Sequence, residues 1–325
     1  MKERILNALK KSDGYISGGK LSEELNVSRT AVWKNINSLK EEGYEIISKP
    51  RIGYRLISNP DKLSEKEIIP KLETECIGKK YIYKPEIDST NEEIKRIYSN
   101  SPEGTVVVTE YQTEGKGRLG RRWISPDGRG IYFSILLKPN IQPFESPKIT
   151  QITAAAVAKT IIDLGIDAKI KWPNDIVVNG RKIAGILTEM SGELMALDYI
   201  VVGIGINIDI DSKDFNSDII GRVGGLRENI EDLDRKELLV NLLKNFEMLY
   251  KEFIDNKNIE KSIDICRENS AVLGKKIRII KKGKEELKKA IDIDEEGGLI
   301  VEDMNGNRET IISGEISVRG ENSYI

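Results

Sequence analysis

The stretch AKIKWPNDIVVNGRKIAGILTEM occupies residues 168–190, and YIVVGIGINI follows at 199–208. Runs of β-branched and aliphatic residues alternate here with turn residues such as Pro-Asn-Asp, a pattern that predicts strands. We place four strands in this region: 168–172, 176–179, 183–190 and 199–208. Because they follow one another so closely, much of the sheet should be antiparallel or mixed.

Further strands and helices extend this pattern on both sides. Strands at 105–111 and 131–138 and an amphipathic, alanine-rich helix at 149–164 come before it, and a long helix at 235–254 with one apolar side follows it. From Gly274 onward the sequence changes to short strands separated by glycine-containing turns. That change predicts a small β-barrel of about fifty residues.

The first sixty residues follow a different order of elements. Apolar spacing predicts helices over 2–11 and 19–25, and Ser28 is a suitable N-cap for a third helix that ends at Gly43. Two short strands joined by a tight turn follow within 44–58. This order is that of a winged helix-turn-helix.

The third helix carries the residues that we expect to contact DNA. Val32, Ile36 and Leu39 form its apolar stripe and should face the core. The other faces present short polar and basic side chains, which the major groove accepts: Arg29, Thr30, Trp33, Lys34 and Asn37. Residues 1–60 hold 11 basic and 7 acidic side chains, and this net charge of +4 favours a polyanion. The alternative is a winged helix used for protein contacts.

Composition excludes several classes of protein. Lys and Arg total 51 and Asp and Glu total 53, so the chain as a whole is not a basic nucleic-acid coat. The absence of histidine excludes a Ser-His-Asp triad and a His-ligated zinc. Two separated cysteines, Cys76 and Cys266, cannot form a disulfide framework. No long apolar run or signal peptide is evident, so we expect a soluble cytoplasmic protein without membrane contact.

The segment GKGRLGRRW (115–123) matches G-x-G-x-x-G, the dinucleotide-binding pattern. That interpretation needs a helix directly afterwards, but Ser-Pro-Asp-Gly and a strand follow, so we reject it. The segment offers glycines that allow backbone N–H groups to approach an anion, together with four cations. The alternative is a flexible basic surface loop.

Four other motifs are each weak evidence for a particular function when they are taken alone. DSTNEE (88–93) opens a helix and has the form of two capping boxes. KWPND (171–175) has the composition of a turn, and RKIAGIL (181–187) opens a strand. The two glycines of GIGIN (203–207) indicate that something packs close to the backbone.

In this order, and with GEISVRG at 314–320, the motifs resemble those of the biotin–protein ligases. With the winged helix, the chain is similar to the form that is also the biotin-operon repressor, and the resemblance covers essentially all 325 residues. It implies an α+β fold with three domains: a winged helix-turn-helix (1–60), a mixed-sheet catalytic domain of the biotin/lipoate ligase type (61–270) and an SH3-like barrel (271–325).

The resemblance also implies roles for individual residues. Lys182 and Arg118 would be catalytic. Biotin would meet a set that includes both of them: Ser89, Thr90, Asn91, Gln112, Gly115, Lys116, Gly117, Arg118 and Lys182. The nucleotide would meet a second set: Arg121, Lys171, Asn174, Asp175, Asn207 and Arg319. Lys116 stands where arginine is common in the family, and no protein metal site is expected.

The implied function is activation of biotin by ATP and Mg²⁺ to biotinyl-5′-AMP, followed by transfer to a lysine of the biotin carboxyl carrier domain of acetyl-CoA carboxylase. Asp175 is a candidate base or orienting group for the transfer. A homodimer, formed through strand 183–190 or 199–208, would bind operator DNA. The alternatives are a lipoate or octanoate ligase and a ligand-sensing repressor without ligase activity.

Overall fold

The structure is a computed structural model that describes residues 1–12, 14–58, 61–193, 196–210, 214–215, 221–281, 284–313, 316–320 and 324. The chain divides into two compact units, Met1–Lys62 and Leu63–Ile325. Asn59 and Pro60, where we expect a linker, lie outside the described residues.

The first unit contains three helices and a hairpin. These elements are α1 (Lys2–Lys10), α2 (Gly18–Leu25), α3 (Arg29–Glu41), β1 (Glu45–Lys49) and β2 (Gly53–Ser58). The Ser28 hydroxyl accepts a hydrogen bond from the backbone N–H of Ala31 at 3.1 Å, as its cap role predicts. Val32, Ile36 and Leu39 are fully buried. The winged helix-turn-helix prediction is therefore confirmed.

The second unit is built on a seven-stranded sheet in the order β3-β4-β5-β9-β8-β7-β6. Its strands are β3 (Tyr81–Ile87), β4 (Val106–Gln112), β5 (Gly130–Leu137), β6 (Lys169–Lys171), β7 (Asp175–Val178), β8 (Arg181–Glu193) and β9 (Ala196–Asn207). Its helices are α4 (Glu65–Ile68), α5 (Thr90–Ile97), α6 (Ser146–Ile162), α7 (Arg235–Asn256) and α8 (Glu260–Glu268). β3 and β4 are parallel and the other neighbours are antiparallel, which confirms the mixed sheet.

The register corrects one expectation about the sheet edge. β9 pairs with β5 on one side and with β8 on the other along most of its length. Within the described residues, strand 199–208 therefore has no free edge for a second copy, and the expectation that a dimer could form through it is wrong. β7 pairs with β8 only as far as Gly185. In the described part of the sheet, residues 187–193 therefore have a strand partner on one side only, and we call them the outer half of β8.

α6 differs from the amphipathic helix that we expected, because it is buried on nearly every side. Even Lys148 and Gln151 are buried. The helix packs against β8 on one side and against α7 and α8 on another. A helix enclosed between a sheet and other helices needs apolar residues around its whole circumference, and its alanines allow the close approach.

The C-terminal strands form an antiparallel sheet in the order β13-β12-β11-β10-β14, as expected for a small β domain. They are β10 (Lys276–Lys281), β11 (Lys284–Ile293), β12 (Leu299–Glu302), β13 (Arg308–Ile311) and β14 (Ile316–Gly320). Ile277 and Val318 belong to the same apolar core as the central sheet. The Trp172 indole donates to the Gly297 carbonyl at 3.0 Å, which ties this sheet to the KWPND turn.

Candidate active site

Two adjoining cavities lie in the second unit. The large cavity measures about 580 Å³ and the small cavity about 50 Å³. Five residues line both: Gly117, Arg118, Trp123, Asn174 and Lys182. The cavities therefore form one continuous site, with two cationic side chains at the junction.

A hydrogen-bond network forms one wall of the small cavity. The Gln112 side-chain oxygen accepts from the Thr90 backbone N–H at 2.9 Å, and its amide nitrogen donates to the Ser125 hydroxyl at 2.8 Å. The Ser134 and Thr90 hydroxyl oxygens lie 2.7 Å apart, within hydrogen-bond distance. All four side chains are buried, so their orientations are set before any ligand arrives.

Asn91 is held by the same wall. Its carbonyl oxygen accepts from Ser134 at 2.5 Å, and its amide nitrogen donates to Glu189 at 2.7 Å. A Cβ at position 203 would collide with the Asn91 side chain, and one at position 205 would collide with the Trp123 ring. The prediction that the GIGIN glycines allow close packing is confirmed, and these two side chains are what pack there.

The start of α5 is not organised by capping boxes, so that interpretation is wrong. Ser89 occupies the N-cap position but its side chain makes no capping hydrogen bond. Glu92 instead pairs with Lys116 of the glycine-rich loop at 2.7 Å and with Lys95 at 2.8 Å. Glu92 therefore pairs with side chains rather than closing a capping box, and one of these pairs holds the loop.

The glycine-rich loop closes on itself. The Gly115 carbonyl accepts from the Trp123 N–H at 2.8 Å, and the Gly117 N–H donates to the Arg121 carbonyl at 2.7 Å. Arg118 extends from this loop to donate to Asn174 at 2.7 Å and to the Ile316 carbonyl at 3.1 Å. It thereby links the loop to the KWPND turn and to β14. β5 follows the loop, in agreement with the rejection of a dinucleotide fold.

The KWPND segment is a tight turn that places Lys171 opposite Asp175, with a cis Trp172–Pro173 peptide between them. One Asp175 oxygen lies 2.5 Å from the Lys182 ammonium. Burial alone would raise the pKa of the Asp175 carboxyl, but the Lys182 and Lys171 ammonium groups outweigh burial and keep that pKa below its usual value. Asp175 is therefore an ionised group that orients Lys182.

Lys171 is in the opposite situation. Only 4% of its surface is exposed, and burial lowers the pKa of its ammonium group to about 7, with Asp175 opposing the shift and Lys182 adding to it. Its ammonium lies 3.3 Å from the centre of the Tyr324 ring. Among the described residues it has no hydrogen-bond acceptor, so an anionic ligand would complete its surroundings.

The large cavity is strongly cationic. Eight basic side chains line it: Arg118, Arg121, Arg122, Lys171, Lys182, Arg222, Arg278 and Arg319. Asp175 is the acidic residue among its described lining. Such a surface complements a polyanion such as a polyphosphate.

The structure brings most of the residues singled out in the sequence to these cavities. The small cavity is lined by Ser89, Thr90, Asn91, Gln112, Lys116 and Gly117, and the large cavity by Arg121, Lys171, Asp175 and Arg319. Gly117, Arg118, Asn174 and Lys182 line both. Gly115 and Asn207 line neither: Gly115 closes the base of the loop, and Asn207 pairs with Gly130 at the end of β9.

The lining residues that the sequence analysis did not assign to the site include Trp123, Arg222, Arg278 and Tyr324. Trp123 ends the GKGRLGRRW motif, so its position was a usable signal. Its indole nitrogen is buried and has no hydrogen-bond partner within the described structure. The other three lie in no motif and reach the cavity only through the fold.

In the N-terminal unit the expected DNA face is available to solvent. Arg29, Thr30, Trp33 and Lys34 are exposed, and Asn37 is half-buried. Trp33, at 54% exposure, is a large apolar side chain that the fold leaves outside the core.

The mixed sheet, the joined cavities and the winged helix define a protein ligase of the biotin/lipoate type with a helix-turn-helix domain. Three family profiles match: the Biotin/lipoate A/B protein ligase family at 83–207, an HTH domain at 2–55 and the Biotin protein ligase C terminal domain at 272–319.

Individual relatives agree. The Bifunctional ligase/repressor BirA of Bacillus spizizenii is 40% identical over 90% of each chain, and the protein of the same name from Escherichia coli is 29% identical over 97% of this chain and 96% of its own. The biotin protein ligase of Aquifex aeolicus, solved with biotin and ATP, superposes with a TM-score of 0.65 at 31% identity, over 75% of this chain and all of the other. The chain belongs to the biotin protein ligase family, in its bifunctional ligase/repressor form.

Proposed function

We propose that this protein joins biotin to ATP to form biotinyl-5′-AMP and then transfers the biotinyl group to a lysine of a biotin carboxyl carrier domain, that of acetyl-CoA carboxylase. The observation that carries the proposal is the pair of cavities that meet at Lys182 and Arg118. One cavity has a preformed hydrogen-bonding wall and the other a cationic lining, which suits biotin and ATP respectively. The solved relative that binds these two molecules supports this assignment.

The chemistry of the first step fits the residues at the junction. The biotin carboxylate attacks the α-phosphorus of ATP and pyrophosphate leaves. A carboxylate is already ionised at neutral pH, so this step needs alignment and charge neutralisation rather than a base. Lys182 and Arg118 are placed to neutralise the charge that develops where the two substrates meet.

The remaining roles follow the two cavities. The residues that contact biotin are Ser89, Thr90, Asn91, Gln112, Lys116 and Gly117. The residues that contact the nucleotide are Arg121, Lys171, Asn174, Asp175 and Arg319. Gly115 and Asn207, which line neither cavity, would act by shaping the loop and the end of β9.

In the second step the amine of the acceptor lysine attacks the mixed anhydride, and AMP leaves. Asp175 is a poor base for this amine, because its pKa is lowered and its two oxygens already meet Lys182 and the Tyr324 hydroxyl. We assign it the role of orienting Lys182.

Mg²⁺ would enter with the nucleotide rather than occupy a protein cage. The described residues contain no group of three or more acidic or cysteine side chains that could hold a metal ion. Mg²⁺ commonly binds substrate phosphates with few protein ligands, which suits a cavity lined by one carboxylate.

A mass measurement tests the ligase function. The protein is mixed with ATP, Mg²⁺, a carrier domain and either biotin or lipoate, and the carrier is weighed. One added biotinyl group is the expected result. Addition of lipoate in its place would indicate a lipoate ligase, and an unmodified carrier would indicate a repressor without ligase activity.

We also infer that the protein is a biotin-dependent repressor that binds its operator as a homodimer. The exposed face of α3 supports DNA contact, and one winged helix covers one half-site. The outer half of β8 is an edge on which a second copy can add by strand pairing. A carrier docked at that edge would compete with dimerisation.

A gel-shift titration tests the repressor function. We expect operator binding to require biotin with ATP and to weaken when carrier without biotin is added. Equal operator affinity with and without biotin and ATP would show that the two activities are independent.

Domain boundaries at 1–60, 61–270 and 271–325 remain part of the proposal, and the division after Lys62 supports the first of them. No helix in the described part of the chain is long and apolar enough to cross a membrane. Because ATP, carrier and operator DNA must all be within reach, we place the protein in the cytoplasm.

A further inference from the structure

Tyr324 lies beyond β14, outside every motif, yet its side chain reaches the large cavity. Its hydroxyl donates to one Asp175 oxygen at 2.6 Å, and its ring centre lies 3.3 Å from the Lys171 ammonium. Lys171 and Asp175 face each other across the KWPND turn. A single aromatic side chain therefore contacts both members of this charged pair.

Lys171 depends on this ring for its position. Its side chain is buried, and Lys182, Arg319 and Arg121 are close enough to disfavour its charge. No hydrogen-bond acceptor among the described residues contacts it. The electron-rich ring face is the partner that contacts the ammonium, and a cation–π contact of this kind is stronger where water is excluded.

Asp175 depends on the hydroxyl of the same residue. One carboxylate oxygen meets Lys182 and the other accepts from Tyr324, so the carboxylate cannot rotate without breaking one of these contacts. The direction of the carboxylate in turn sets the position of the Lys182 ammonium at the junction of the two cavities.

The tyrosine forms part of the cavity wall and leaves the space open. The volume of about 580 Å³ is measured with Tyr324 in place, and that lies within the range of small-molecule sites. Tyr324 therefore leaves a cavity of small-molecule size beside it.

We propose that Tyr324 is a positioning residue of the nucleotide site, whose ring holds Lys171 for the phosphates and whose hydroxyl orients Asp175 and, through it, Lys182. The inference rests on the proposed ligase function and adds to it a residue that no sequence motif contains. The ring and the hydroxyl of Tyr324 have different roles, so two substitutions can distinguish the two contributions.

The test compares Tyr324→Phe with Tyr324→Leu in biotin-dependent exchange of pyrophosphate into ATP. Tyr324→Phe keeps the ring but loses a hydrogen bond to a buried carboxylate, so kcat should fall about tenfold while KM for ATP stays within about twofold. Tyr324→Leu also loses the ring, so KM for ATP should rise about tenfold in addition. KM for biotin should stay unchanged in both, because Tyr324 does not line the small cavity.

Phe144→Leu is the matched control, because Phe144 is 76% exposed and lines neither cavity. Thermal unfolding of each variant, with and without biotin, checks that the fold and the small cavity are intact. If the parent catalyses exchange and both tyrosine variants have the same kcat and KM as the parent, the inference about Tyr324 is wrong while the proposed function stands. A lower KM for ATP in Tyr324→Leu would also overturn it, since Tyr324 would then compete with the nucleotide. A parent without exchange would overturn the proposed function and this inference together.

Discussion

The small cavity and the large cavity share five residues but differ in how their polar groups are partnered. In the small cavity Thr90, Asn91 and Gln112 hydrogen-bond to other protein groups before any ligand is present. In the large cavity the Lys171 ammonium has no hydrogen-bond acceptor among the described residues, and it contacts the face of the Tyr324 ring instead.

The difference corresponds to the charge of the two proposed ligands. Biotin presents an uncharged ring, so its cavity must supply oriented hydrogen-bonding groups. Groups that are already held in place lose less conformational entropy when biotin binds. A nucleotide brings its own negative charge, so its cavity can collect cations whose repulsion is relieved on binding. Substitutions in the two cavities should therefore affect different kinetic constants.

The largest effect should come from the junction of the two cavities. Replacing Lys182 with alanine removes a cation where charge develops, and we expect the adenylation rate to fall about a hundredfold, or about 3 kcal/mol. Biotin-dependent pyrophosphate exchange measures it. Lys169→Ala is the control, since Lys169 lies on the same sheet and lines neither cavity. Unchanged exchange would transfer the role to Arg118 or Lys171.

Gly203→Ala should disturb the small cavity alone. The added methyl group would displace Asn91 from its hydrogen bonds with Ser134 and Glu189, an overpacking that costs about 2 kcal/mol. We expect KM for biotin to rise about thirtyfold and KM for ATP to change little. Gly14→Ala, where the methyl group meets no atom within 4 Å, serves as the control. Equal effects on both constants would show that the cavities are not independent.

Arg118→Gly should release the intermediate without abolishing its formation. The guanidinium ties the loop to Asn174 and to the Ile316 carbonyl, and losing such charged hydrogen bonds should speed adenylate release about tenfold. Freed biotinyl-AMP would then label lysines on an unrelated protein added to the assay. If the Arg118→Gly variant retains the adenylate as tightly as the parent, Arg118 does not hold the intermediate.

The smallest effect is expected at the rim of the loop. Glu92 and Lys116 form a partly exposed ion pair, which is worth up to about 1 kcal/mol. Glu92→Gln should therefore speed adenylate release no more than about fivefold, and the difference should shrink as salt is added. A salt-independent effect would mean that the pair does not act through its charges.

Local patterns in the sequence were enough for much of the fold. The cap at Ser28, the antiparallel strands between 168 and 208 and the close packing at Gly203 each depend on residues within a few positions, and the structure confirms all three. Sequence reasoning missed β3, because its charged and proline residues hide the strand pattern and its partner β4 lies parallel to it. It also misjudged α6, because burial on all sides depends on neighbours that are distant in sequence.

The sequence by itself determined most of the segments that form helices and strands, which motifs supply the cations, and that a winged helix precedes a mixed sheet. Only the tertiary structure decided that β9 is an inner strand, that Glu92 holds the loop, and that Tyr324 meets Asp175 across 149 positions of sequence. The physical reason is that propensity and capping act over a few residues. Contacts such as that of Tyr324 instead depend on how the C-terminal sheet packs on the central core, through an interface that no single segment encodes.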